Sequence, residues 1–324
     1  MFEPDFIRKA DLDDSLFLPM GPFEFYGKVN VMKAGIVFAD KVSTVSETYA
    51  EEISTSEEYG YGLEGVLRSR GNDLVGILNG IDMNVWNPAK DDLIPYNFSK
   101  DNLAGKSRNR IELLKEYSLP PKTKAPVIGM VSRLVDQKGF DILAEAFDTL
   151  MKLNLKLVIL GTGQKKYHDL FSKLARKHYR KFGLKLEFNN PLAHLIEAGS
   201  DFFLMPSKYE PCGLNQMYSL RYGTIPIVRE TGGLKDTIEM IDKTGRKGNG
   251  FTFRVYSPEA LIKAVRKAID FYKDKEALRR VRKRIMEEDH SWRLSASKYV
   301  ELYISAIKKK RMGLTSAQIG NYNL

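Results

Sequence analysis

The chain has 324 residues, 43% of them hydrophobic and 28% charged, with 51 Lys and Arg against 41 Asp and Glu for a formal net charge of +10. That length buries a sizeable core and usually forms more than one domain, and the composition is ordinary for a soluble globular protein. No apolar run approaches the length of a membrane helix, and a single cysteine, Cys212, excludes an intrachain disulfide framework.

Taken from the N-terminus, residues 1–10 contain Glu3 and Asp5 and lack the apolar segment of a signal peptide, which with the lone cysteine fits a reducing cytoplasm. From residue 127 onward strand and helix patterns alternate. Strands are expected at 127–131, 155–160, 184–188, 202–205 and 225–228, the first of them a continuous apolar run with β-branched residues and 202–205 another apolar run. Helical patterns fill the gaps, so the expected class is α/β with a doubly wound sheet. Ser257-Pro258-Glu259 opens a helix by N-cap and first-turn chemistry. Residues 293–308 read as a final helix, and 309–324, with Gly313, Gly320 and Asn321, as a loose tail.

Three strand-to-helix loops carry the chemistry, because ligands of open α/β sheets bind at the carboxyl ends of strands. After the first strand comes Ser132-Arg133-Leu134-Val135-Asp136-Gln137-Lys138-Gly139, in which Arg133 offers a rigid fork and Lys138 a point charge for phosphate oxygens. Two solvated surface cations are the bland alternative. After the fourth comes Ser207-Lys208-Tyr209-Glu210-Pro211-Cys212-Gly213-Leu214-Asn215-Gln216. Here Glu210 is a carboxylate beside an anion-binding turn, with Pro211 at an expected first helical position and Gly213 letting backbone amides approach a ligand. That pairing suits a sugar diphosphate, although an acidic residue near a helix start also stabilises the macrodipole. After the fifth comes Thr231-Gly232-Gly233-Leu234-Lys235-Asp236, whose paired glycines again expose amides or simply make a tight turn.

Other signals are weaker. Gly161-Thr162-Gly163 follows a strand, but Lys166 replaces the third glycine of a dinucleotide fingerprint. The four histidines, His168, His178, His194 and His290, show no metal-ligand spacing, and His194 reads as structural, two turns from any candidate site. No nucleophile-elbow serine is present. A carboxylate near Cys212 would raise its thiol pKa, so it reads as packing or ligand-lining. The basic runs 279–284 and 308–311 lack interleaved aromatics and read as solvated helix faces, not a nucleic-acid surface.

Together the three loops resemble the C-terminal half of the glycogen and starch synthases, retaining glucosyltransferases of the GT-B fold. The matching residues are Ser132-Arg133, Gln137-Lys138-Gly139, Pro206-Ser207, Glu210-Pro211-Cys212-Gly213-Leu214, Thr231-Gly232-Gly233-Leu234 and Asp236-Thr237. Upstream, Gly76-Ile77-Leu78-Asn79-Gly80-Ile81-Asp82 with Trp86-Asn87-Pro88 looks like that family's interdomain segment. Glu24-Phe25-Tyr26-Gly27, Lys33-Ala34-Gly35, Ala39-Asp40 and Thr44-Val45-Ser46 also match. The resemblance covers residues 1 to about 308.

The resemblance implies that Arg133 and Lys138 hold the diphosphate of ADP-glucose and that Glu210 lies against the transferred glucose. It implies amide contacts from Gly213-Leu214-Asn215 and Gly232-Gly233-Leu234, a place for Asn79 facing the interdomain cleft, and an aromatic on the adenine at Phe188. Cys212, Thr231 and Asp236 join the substrate-binding set. At Phe188 the following Asn189-Asn190-Pro191 departs from the family's acidic segment, and a core residue at a strand end is the alternative. The implied partners are ADP-glucose and an α-1,4-glucan, with no cofactor, metal, nucleic acid or membrane. The implied domains are a partial N-terminal Rossmann-like domain at 1–80, a nucleotide-sugar domain at 81–289, and a helix at 290–308 returning to the first.

The family's Lys-x-Gly-Gly-Leu donor loop and His-Asn segment do not occur here, so the expectation is a member that begins partway through its N-terminal domain. Phe23, Phe25, Tyr26, Ile36 and Phe38 are then expected to lack part of their packing surface, and the chain to bind ADP without elongating glucan. Two alternatives stay open: another GT-B transferase using UDP-glucose, and a non-catalytic nucleotide- or glucan-binding remnant.

Overall fold

The computed structural model describes residues 1–320, with side chains through residue 311. The chain divides into two compact units, residues 79–292 and residues 1–78 together with the chain from residue 293. The divisions between the units lie at 78/79 and 292/293.

The larger unit is a parallel sheet covered by helices. Its elements run α1 (Ala104–Glu116), β1 (Val127–Val131), α2 (Phe140–Lys152), β2 (Lys156–Leu160), α3 (Lys165–Lys177), β3 (Phe182–Lys185), α4 (Asn190–Gly199), β4 (Phe202–Met205), α5 (Asn215–Arg221), β5 (Ile225–Arg229), α6 (Gly232–Thr237), β6 (Phe251–Phe253), α7 (Pro258–Phe271) and α8 (Lys275–Ile285). The sheet order is β6-β5-β4-β1-β2-β3, and every pairing is parallel. The chain therefore winds outward from β1 to β3, returns, and winds outward on the other side from β4 to β6. The loops leaving β1 and β4 diverge at that reversal, and the crevice between them is where such sheets bind ligands.

Burial explains why the strands were legible. The side chains of Val127, Ile128 and Met130, of Leu157 to Leu160, and of Phe202 to Met205 are buried on both faces, as a sheet covered by helices on both sides requires. The helices present periodic apolar stripes to it: Phe140, Leu143, Phe147 and Leu150 on α2, and Leu261, Val265 and Ala268 on α7. Ser257 caps α7 by accepting from the Ala260 amide at 3.2 Å, as its sequence implies.

Three local expectations are corrected. Strand β3 begins at Phe182 and ends at Lys185, so Phe188 lies in the following loop. Gly183 is the reason: a Cβ there would sit 2.5 Å from the Tyr117 ring, so the strand uses a glycine that weakens its own sequence signal. Helix α5 starts at Asn215, four residues past Pro211, because Gly213 takes a left-handed φ of 68° between them. The basic run on α8 is not simply a solvated face. Arg282 donates to the buried Asp201 at 2.6 Å, Arg280 to the Thr244 carbonyl at 2.6 Å, and Arg284 to the Gly248 carbonyl.

In the smaller unit, Glu24–Phe25 pairs antiparallel with Lys28–Val29, and Val42–Thr44 pairs parallel with Leu74–Gly76. Phe23 is buried with Ile7, Val29 and Ala34, while Tyr26 and Phe38 are exposed. Lys33 is nearly buried because its ammonium donates to the carbonyls of Gly21 (2.9 Å) and Glu24 (2.6 Å). The last helix spans Trp292–Gly320, so residues 309–320 are helical instead of a tail. Lys308 to Arg311 are strong helix formers, and a lone Gly313 does not break them. The remainder of the expected tail, residues 321–324, lies outside the described residues.

Candidate functional site

A cavity of about 350 Å³ occupies the crevice at the carboxyl ends of β1, β2 and β4. The loop after β1 supplies Ser132, Arg133 and Lys138, and the loop after β4 supplies Ser207, Glu210, Gly213, Leu214 and Asn215. Gly161 and Thr162 after β2, Phe188 and Asn189 before α4, and Asn190 at its start complete its walls.

The loops are laced to one another by backbone. Lys138 ends a one-turn 3-10 helix, Asp136–Lys138, closed by Gly139 at φ 77°. A Cβ on Gly139 would lie 2.1 Å from the Pro206 carbonyl oxygen, so only glycine lets the two loops meet. The Lys208 amide donates to the Gln137 carbonyl at 2.8 Å, and the Asn215 side chain donates to the Val131 carbonyl at 2.8 Å. Leu134 donates to the Thr162 carbonyl at 3.0 Å, and Gln164 donates to the Leu134 carbonyl at 2.9 Å, which brings the loop after β2 alongside.

Glu210 is buried, and its carboxylate is held by two side chains. The Lys138 ammonium lies 2.8 Å from Oε1 and 2.6 Å from Oε2, and the buried Ser207 hydroxyl donates to Oε2 at 2.9 Å. Arg133 is exposed at the cavity, with no side-chain hydrogen bond or ion pair among the described residues. The amides of Gly213, Leu214 and Asn215 have no acceptor among the described residues either. The cavity therefore offers an unpaired guanidinium, a paired ammonium, a carboxylate and a turn of open amides. That set can take an anion such as a diphosphate at one end and a polar group such as a sugar hydroxyl at the other.

Phe188, 91% exposed, lies at the cavity and not in the core. Other expected site residues lie outside the lining. Thr231 to Leu234 are buried behind the Glu210 turn. Gly233 donates to the carbonyls of Glu210 and Pro211, both at 3.1 Å, and Leu234 to that of Thr231 at 3.1 Å, so those two amides are engaged inside the protein. The Gly232-Gly233 turn thus buttresses the Glu210 turn. Cys212 is buried, and burial pushes its thiol pKa up, with Glu210 and Asp236 adding to the rise and a hydrogen bond from the Asn79 amide opposing it. Asn79 is placed by that contact against the Glu210 turn, and Asp236 is exposed on α6.

Sequence reading passed over Ser207 and Gln216 as site residues. Gln216 is fully buried and its amide donates to the carbonyls of Cys212 (3.1 Å) and Gly213 (3.0 Å), fixing the turn. Gly161-Thr162 is only a weak fingerprint in the sequence, yet a Cβ on Gly161 would lie 1.8 Å from the Ser132 carbonyl oxygen. His194 is structural: it is buried, 2.8 Å from Asp91 and stacked on Trp86. Its neighbour Ala193 nonetheless lines the cavity, so it lies nearer the site than two turns.

Comparisons with known proteins converge on one group. The family profile "Glycosyl transferases group 1" matches residues 115–285, and "Starch synthase catalytic domain" matches residues 1–69. A glycogen synthase of Koribacter versatilis is 51% identical over 283 residues, 87% of this chain and 58% of the relative. One of Fervidobacterium nodosum is 50% identical over 309 residues, 95% of this chain and 63% of the relative. The solved catalytic domain of starch synthase IV from Arabidopsis thaliana, bound to ADP and acarbose, superposes with a TM-score of 0.85 at 36% identity, covering 92% of this chain and 62% of that one. This chain spans about six-tenths of the length of these relatives.

Proposed function

The chain belongs to the glycosyl transferase group 1 family, and we propose that it serves a retaining glucosyltransferase that moves glucose from ADP-glucose to the non-reducing end of an α-1,4-glucan. The observation that carries this reading is the cavity at the sheet's reversal point, where Arg133, Lys138 and the open amides of Gly213 to Asn215 face one space with Glu210.

In this reading Arg133 and the amides bind the two phosphates and stabilise the charge that develops on the departing diphosphate. Lys138 adds a second cation. Glu210 faces the sugar, orients it and stabilises the positive charge that grows at the anomeric carbon in an oxocarbenium-like transition state. Phe188 offers a ring on which the adenine stacks. The choice of ADP-glucose draws support from the starch synthase IV structure, which holds ADP.

The test is a pair of calorimetric titrations with ADP-glucose and UDP-glucose. Tighter binding of ADP-glucose supports the reading. Equal binding, or a preference for UDP-glucose, would move the protein to another donor.

A further inference from the structure

Glu210 poses a physical difficulty for an anion site. A carboxylate fixed at a cavity that receives a diphosphate repels it, and a carboxylate this buried requires a counter-charge of its own. The structure meets the second need with Lys138, whose ammonium contacts both carboxylate oxygens, at 2.8 and 2.6 Å. That same ammonium is one of the two cations at the cavity, and the other, Arg133, has no side-chain partner among the described residues. One lysine thus faces two competing anions.

We propose that Lys138 is a shared counter-ion: in the empty site it neutralises Glu210, and an arriving nucleoside diphosphate draws it away, so that the Glu210 charge is exposed to the sugar only when the diphosphate is seated. The inference rests on the donor site proposed above. Its parts suit an exchange. Lysine is a compact charge on a flexible stem, able to pivot between acceptors, where a planar guanidinium would be committed to one geometry. Lys138 leaves a short 3-10 turn, so its backbone stays fixed while the side chain swings. Ser207, buried beside Glu210, keeps its hydroxyl on Oε2 at 2.9 Å and holds the carboxylate in place after the ammonium leaves. Two consequences follow. The empty site presents less net negative charge to an approaching anion, and the stabilising carboxylate is linked to correct seating of the leaving group.

The experiment is ADP titration of the wild-type chain, Glu210→Gln, Lys138→Ala and the double variant, with a structure of the wild-type ADP complex. Glu210→Gln should bind ADP roughly ten-fold more tightly, the size of a hydrogen bond to a charged group. The gain should vanish when Lys138 is already Ala. In the ADP complex Lys138 should contact a phosphate oxygen and no longer Glu210, a readout that needs no variant to fold. Unchanged or weaker binding by Glu210→Gln would overturn the exchange, as would a gain that persists without Lys138, which would mean simple repulsion. Lys138 still on both Glu210 oxygens in the complex would also overturn it, leaving the donor site intact. A wild-type chain that binds neither ADP, UDP nor pyrophosphate would overturn both the exchange and the donor-site reading.

Discussion

Gly232 faces the carbonyl oxygen of Glu210 so closely that a Cβ added there would lie 2.0 Å from it. The loop after β5 is thereby the support on which the loop after β4 rests, with the Gly233 amide donating to the carbonyls of Glu210 and Pro211.

Gly232→Ala is therefore expected to displace the Glu210 turn. The residue sits at φ 43°, where an L side chain costs roughly 1–2 kcal/mol before any clash is relieved. Urea midpoints should fall by at least that equivalent, and ADP affinity should fall with them. A variant as stable as the wild type would show that the two turns are not in contact.

Asp201 is predicted to be a stability centre remote from the cavity. It is buried, accepts the Val127 amide at 2.9 Å and pairs with Arg110 at 3.2 Å and Arg282 at 2.6 Å. Those arginines and the amide bond hold its pKa below the usual carboxylate range against the effect of burial. Asp201→Ala leaves two largely buried guanidinium groups uncompensated and should destabilise the fold by about 3–5 kcal/mol. Chemical denaturation reads this directly, and a loss below about 1 kcal/mol would contradict the pairing.

A second buried pair should set the response to pH. Burial pushes Glu197 up to about 8, opposed by the Ser219 hydroxyl and Lys106, and pushes Lys106 well below its ordinary value. The signs oppose each other. A raised Glu197 favours folding at low pH, and that contribution is lost as pH rises from the unfolded carboxylate value through about 8. A lowered Lys106 means the unfolded chain binds the extra proton, so its contribution improves as pH rises. Glu197→Gln removes the first slope and leaves the second. Between about pH 6 and about pH 9 the variant's stability should rise relative to the wild type's. Parallel curves would mean the two groups do not titrate as described.

A feature is legible in the sequence to the extent that it depends on local pattern. Strands β1, β2, β4 and β5 announced themselves because residues such as Ile128, Val158 and Phe203 are buried on both faces and must be apolar. Arg133, Lys138 and Glu210 stood out because charge at strand ends is chemically conspicuous. Gly161, Thr162 and Ser207 did not, since their place at the cavity follows from β1 lying between β2 and β4, an order that no local pattern encodes. Gly232 and Gly233 mark a close approach in the sequence, and the structure places the backbone of the Glu210 turn against both. Glycine in a loop signals close approach, but sequence does not say that the backbone of the neighbouring turn is one of the groups approaching.

The central claim, a nucleoside diphosphate site where the sheet reverses, is tested most directly by calorimetric titration of ADP into the wild-type chain and into Arg133→Ala. Of the two cations lining the cavity, Arg133 is the one with no side-chain partner among the described residues, and loss of its side chain disturbs no observed contact. The account predicts measurable binding by the wild type and binding weaker by roughly 1.5–3 kcal/mol in the variant, the range for a hydrogen bond to a charged group. Equal affinity in the two proteins, or no binding by the wild type, would contradict it.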